Sequence, residues 1–99
     1  RIEIGTDFLC AEDLLINTGT HDPETLIPVG RPVRIGNRVW CGARVTIGPG
    51  VTIGDDVIIG AGAVVLKDVP SNTIAAGVPC KPLRALKRER PPSWNAFSS

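Results

Sequence analysis

Aromatic side chains are scarce in this 99-residue chain, which has only Phe8, Trp40, Trp94 and Phe97. So few large rings leave little material for a conventional core. Long undisturbed stretches are also missing, because 11 glycines and 9 prolines interrupt the chain, and this excludes a helix bundle. No run approaches the roughly 20 apolar residues that span a bilayer, and no charged-then-apolar leader opens the sequence. The chain opens on Arg1, and a processed chain or a fragment is the expectation. Cys10, Cys41 and Cys80 are odd in number and widely spaced, with no CxxC pair. They make neither a disulfide framework nor a zinc cluster, so a reducing, cytoplasmic setting is expected.

Strong charge of one sign is lacking too. A net charge of +1 argues against a dedicated nucleic-acid or membrane-surface protein. The distribution is nevertheless uneven. Residues 1–80 carry 6 Lys/Arg and 9 Asp/Glu, a net −3, whereas residues 81–99 carry 5 and 1, a net +4. With 42% hydrophobic and 21% charged residues, the composition is that of one small globular domain.

What the chain does have is a repeat. Six-residue frames begin at Ile35, Cys41, Ile47, Ile53, Ile59 and Val65. The second position is Gly36, Gly42, Gly48, Gly54 and Gly60; the fifth is Val39, Val45, Val51, Val57, Ala63 and Val69. Five glycines in succession at this spacing have a chance of about 2 × 10⁻⁵ at this glycine content, so the period is a structural signal. The fifth residue of one frame and the first of the next lie two apart and share one face of a short strand. That face is apolar. The glycine that follows each first residue suits a corner that needs unusual φ or close backbone approach. Three flats of one strand each close a triangular coil of about 18 residues, stacked on the next at about 4.8 Å. A sandwich of hairpins would instead place turn signals roughly every 8–12 residues.

The phase extends upstream to Ile4, Cys10 and Ile16, with Phe8 and Leu14 at the fifth position. Cys10 and Cys41 are therefore expected to be buried, inert thiols. The step from Ile16 to Ile35 is one position longer than three whole frames, so the frame slips. Residues 20–32, with three prolines, read as a loop thrown out from a corner. Downstream, Pro70-Ser71-Asn72 reads as a turn and Thr73 begins another short strand. Pro82 suits the first position of a short helix reaching Arg90, with Leu83 and Leu86 on one side. The expected division is a β-helix domain over residues 1–80 and a C-terminal helix and tail over residues 81–99.

The repeats, together with Val69-Pro70-Ser71-Asn72-Thr73 and Gly77-Val78-Pro79-Cys80, resemble the hexapeptide-repeat acyltransferases, and most of all the branch of maltose and galactoside O-acetyltransferases. The resemblance implies an all-β fold, a left-handed parallel β-helix; its handedness is carried by the family alone, since the general crossover preference is right-handed. It also implies acetyl-CoA as co-substrate, a small-molecule acceptor, and a homotrimer with sites between subunits. Family members are about twice this length. An asparagine that positions their acceptor lies in a part this sequence does not contain.

His21 is the sole histidine and sits at the root of the irregular loop. In the resembled family a histidine at this place is the general base. Imidazole suits removal of a hydroxyl proton near neutral pH. Trp40, after Ile35-Gly36-Asn37-Arg38-Val39, matches a tryptophan that walls the acceptor site. It takes the last place of its frame and is expected to point outward. No serine or cysteine looks like a nucleophile, which favours direct transfer. By resemblance, Ala43 and Ala61 present backbone groups to the pantetheine arm of coenzyme A. Lys67, Lys81 and Arg84 match the basic positions near its nucleotide end, while Leu66 replaces a hydroxyl residue common in relatives. No metal is expected. The readings that compete with sugar O-acetylation are a non-catalytic trimerising or binding solenoid, and an N-acetyltransferase acting on an amino sugar or an antibiotic.

Overall fold

The computed structural model describes residues 1–87, which form strands and turns with no helix. No helix among them is long and apolar enough to cross a membrane. The first flat of the coil stacks Ile2–Ile4, Val33–Ile35 and Thr52–Ile53. The second stacks Leu9–Cys10, Val39–Cys41, Val57–Ile59 and Thr73–Ala76. The third stacks Leu15–Ile16, Thr46–Ile47 and Val64–Val65. All of these pairings are parallel, as a stacked coil requires.

The core is the set of residues that the six-residue frame points inward. Ile35, Cys41, Ile47, Ile53, Ile59 and Val65 are buried, as are Val39, Val45, Val51, Val57, Ala63 and Val69. Val33 and Ala75 complete the apolar set. Side chains of this size fill a narrow prism, and fully burying each Val or Ile is worth roughly 1.5–3 kcal/mol. The outward row of the second flat is also apolar. Leu9 and Trp40 are exposed, Ile58 and Ile74 half-buried, so the prism presents a partly exposed hydrophobic stripe.

The frame glycines serve close approach. A Cβ on Gly54 would lie 2.6 Å from the Ser71 nitrogen, and one on Gly36 would lie 2.7 Å from the Gly54 carbonyl carbon. Positive φ falls further along the corner instead, at Arg38, Arg44, Gly50, Asp56 and Gly62. The corner between the first and second flats is further tied by side chains. Asn37 Oδ1 accepts from the Thr6 N–H, Asp55 Oδ1 from the Asn37 N–H, and Ser71 Oγ from the Asp55 N–H. Beside them Arg38 donates to both carboxylate oxygens of Asp56, at 2.7 and 3.0 Å.

The loop expected over residues 20–32 is built on a hairpin, in which Gly19–His21 pairs antiparallel with Pro28–Gly30. The insertion lengthens the first coil, in which Ile4 pairs with Ile35, whereas the next coil runs only from Ile35 to Ile53. Three expectations are corrected. Val69 is buried but pairs with Ile53, short of a full coil. The corner after Val65 is therefore shortened, and Val69 takes a first-of-frame level. The expected helix from Pro82 is a strand, Lys81–Ala85, antiparallel to Thr73–Ala76. Proline is tolerated there because the strand is an edge, where its missing N–H costs no ladder bond. Residues 88–90 of that expected helix, and the tail beyond, lie outside the described residues. Cys10, finally, is exposed. Its coil is the end one, stacked on a neighbour on one side only.

Candidate functional site

The hairpin leaves the coil at the third corner, where the third flat returns to the first. Its base is fixed by backbone: the Arg31 N–H donates to the Thr18 carbonyl at 2.8 Å, and the Gly50 N–H to the Arg31 carbonyl at 3.3 Å. Its tip is closed by Asp22. One carboxylate oxygen accepts from the N–H groups of Glu24 and Thr25, at 2.8 and 3.0 Å, and the Asp22 N–H donates to the Ile27 carbonyl at 2.9 Å. The Thr25 and then the Glu24 amide bond hold the Asp22 carboxyl below its ordinary value. A lowered value means that the ionised form supports the turn above the unfolded carboxyl pKa of about 3.9 and that this support is lost as pH falls through the folded value. The Glu24 and Thr25 amide resonances should therefore titrate together in acid. Amides that stay unmoved while Asp22 protonates would contradict the turn.

His21 ends the first hairpin strand, opposite Pro28. It is exposed and lines a cavity of about 300 Å³ with Thr20, Asp22, Val29, Arg31 and others at the hairpin base. The corner of the following coil contributes Pro49 to this cavity. The imidazole makes no hydrogen bond to a described residue, so both ring nitrogens are available to an incoming group.

The other residues singled out from the sequence distribute over the prism. Ala43 and Ala61 come together on consecutive coils at the second corner, between the second and third flats. The Gly62 N–H donates to the Ala43 carbonyl at 2.8 Å, and a Cβ on Gly42 would lie 2.6 Å from the Ala61 nitrogen. Lys81 pairs with Ala76 at the same corner, and Arg84 pairs with Ile74 along the second flat. Lys67 is at the third corner, the one from which the hairpin carrying His21 leaves. The third flat thus has His21 and Lys67 along one edge and Ala43, Ala61 and Lys81 along the other. Lys67, Lys81 and Arg84 are exposed.

Trp40 is not brought to His21. It lies mid-strand on the second flat, facing outward between Leu9 and Ile58, and that flat is opposite the corner from which the hairpin rises. Cys41 is buried, and burial, with Cys10 and Cys80 beside it, pushes its thiol up to about 12. A thiol so held is protonated and inert as a nucleophile. Burial likewise raises Cys80. Among the described residues no group of three or more His, Cys, Asp or Glu could hold a metal ion.

Sequence reasoning missed Arg31 and Pro49 as site residues. The signal for Pro49 was present: Gly48-Pro49-Gly50 occupies the corner one coil after the insertion.

A triangular coil of hexapeptides with an insertion at one corner defines a class. Residues 32–67 match the family described as bacterial transferase hexapeptide (six repeats). Over 93 residues the chain is 42% identical to a Schizosaccharomyces pombe protein provisionally named an acetyltransferase, covering 89% of this chain and 45% of that one. A galactoside acetyltransferase solved in complex with coenzyme A superposes with a TM-score of 0.82 at 41% identity, over 87% of this chain and 46% of the other. A maltose O-acetyltransferase from Clostridium difficile 630 gives 0.76 at 35% identity, over 88% and 60%. The chain spans about half the length of the curated relative it matches.

Proposed function

We propose that the protein transfers an acetyl group from acetyl-CoA to a hydroxyl of a sugar or similar small polar acceptor, with His21 as general base. The observation that carries this reading is the exposed, unengaged imidazole over a cavity, on a coil shared with galactoside and maltose acetyltransferases. The third flat and its two edges suit coenzyme A. Glycine and alanine at the second corner leave backbone accessible to an extended pantetheine arm, and Lys81 and Arg84 on the edge strand offer charge to phosphates. When bound, the thioester supplies an activated acetyl carbon.

His21 accepts the acceptor's hydroxyl proton as the oxygen bonds to that carbon. As the carbon–sulfur bond breaks, the imidazolium returns a proton to the departing thiolate. Backbone N–H groups stabilise the charge that develops on the carbonyl oxygen. The inert thiol of Cys41 fits direct transfer without an acyl-enzyme.

The apolar stripe of Leu9, Trp40, Ile58 and Ile74 is covered in a homotrimer. Within one chain Trp40 faces away from His21, so it walls the acceptor site of a neighbouring copy. The working location is the cytoplasm.

Thiol release from acetyl-CoA on addition of sugars tests the activity. Coenzyme A binding tests the site: the dissociation constant should rise with salt, because exposed charge pairs are screened. Replacing Lys81 and Arg84 with alanine should raise it further with the melting temperature unchanged. Salt-independent binding, or an unchanged constant in the double variant, would contradict the placement.

A further inference from the structure

The His21 cavity contains a cation that proton abstraction does not use. Arg31 is the one Lys or Arg among its lining residues. It is held in place by its surroundings. Its backbone is bonded on both sides, to Thr18 and from Gly50. Its side-chain stem lies over Gly50, where an added Cβ would sit 3.4 Å from Arg31 Cβ and 3.5 Å from Arg31 Cδ. Arg1 and Arg34 pair with Glu3, and Arg38 with Asp56. Arg31 pairs with no carboxylate among the described residues. Asp22 also lines the cavity, but its carboxylate is engaged by two turn amides. Val29, Pro23 and Pro49 supply apolar walls. The volume of about 300 Å³ suits a single small molecule.

We infer that the acceptor carries an anionic group, a carboxylate or a phosphate, beside its reacting hydroxyl, and that Arg31 holds this group in the His21 cavity. This rests on the acetyl-transfer reading for the word acceptor, but the recognition itself is a binding property. A planar guanidinium takes either anion through paired N–H donors. With the anion fixed at Arg31, the neighbouring hydroxyl is positioned for His21.

Calorimetric titration of the protein with glucose, glucuronate and glucose 6-phosphate tests this. At low salt one or both anions should bind at least about tenfold tighter than glucose, the size of one charge-assisted hydrogen bond. Arg31→Gln should abolish that preference and Arg31→Lys should keep part of it, both with native-like circular dichroism. The arm that responds identifies carboxylate or phosphate. Equal affinities for all three ligands, or a preference that survives Arg31→Gln, would overturn the inference. Acetylation assays with the same three compounds separate the two readings. Anion-selective binding without transfer sinks the acetyltransferase reading alone, whereas transfer to glucose without anion preference sinks the Arg31 assignment alone.

Discussion

Replacing His21 with alanine should lower acetyl transfer by roughly 10²–10⁴-fold, the contribution of a positioned general base. The loss should fall on turnover, because the imidazole meets the acceptor proton and not the nucleotide end of coenzyme A. Coenzyme A affinity should hold, since Ala43, Ala61 and Lys81 sit across the third flat. Stability should hold as well: His21 is exposed and its ring bonds to no described residue. Transfer at the wild-type rate in His21→Ala would make this a structural hairpin residue and would remove the mechanism.

Gly54→Ala should be, with Gly42→Ala, among the most damaging of the small substitutions in the coil. Its new Cβ would lie 2.6 Å from the Ser71 nitrogen and 2.9 Å from Ser71 Cα. Both are backbone atoms, which no rotamer change can move aside. Relief requires separating two coils where Ser71 Oγ accepts from the Asp55 N–H. Overpacking of this kind costs about 1–3 kcal/mol or more, and each kcal/mol lowers the melting temperature by roughly 4–8 °C in a chain of this size. Gly30→Ala is the control, because nothing lies within 4 Å of its added Cβ. Melting curves at one protein concentration should show a large drop for the first and little change for the second. Equal melting temperatures would mean that the frame glycines are not there for coil contact.

The coil was legible because its core obeys one rule. Every first and fifth position from Ile35 to Val69 is buried, and the period needs no knowledge of distant contacts. The reason for glycine was only half legible, since sequence alone offers two explanations and the spacing of the coils decides between them. Irregular places were read by local propensity and failed there. Pro82 with Leu83 and Leu86 suggests a helix, but unpaired backbone at the edge of the second flat takes the segment as a strand. The shortened corner after Val65 left Val69 in the core and so gave no sign of itself. Cys10 has the pattern of a core residue in a coil with one stacking neighbour.

At the candidate site, His21 stood out as the single histidine beside an insertion, and Ala43 and Ala61 fall one full coil apart at the same corner, as the period requires. Arg31 had no comparable signal. Its relevance comes from hairpin pairing, which carries it back to the cavity beside His21, and antiparallel pairing inside an insertion leaves no trace in a hexapeptide period. The opposition of Trp40 and His21 was equally invisible, since it depends on which flat faces which corner.

That opposition leads to the most direct test of a catalytic site built between copies of this chain. His21→Ala and Trp40→Ala proteins are prepared separately, then unfolded together in equal amounts, refolded and assayed for acetyl transfer. Each variant alone should be nearly inactive. In a cyclic trimer, every particle of mixed composition has one junction with an intact His21 from one copy and an intact Trp40 from the next. Random mixing should then restore roughly one quarter of wild-type activity, since about three quarters of trimers are mixed and one site in three is whole. A mixture no more active than its components would contradict a shared site and leave the imidazole without the wall assigned to it.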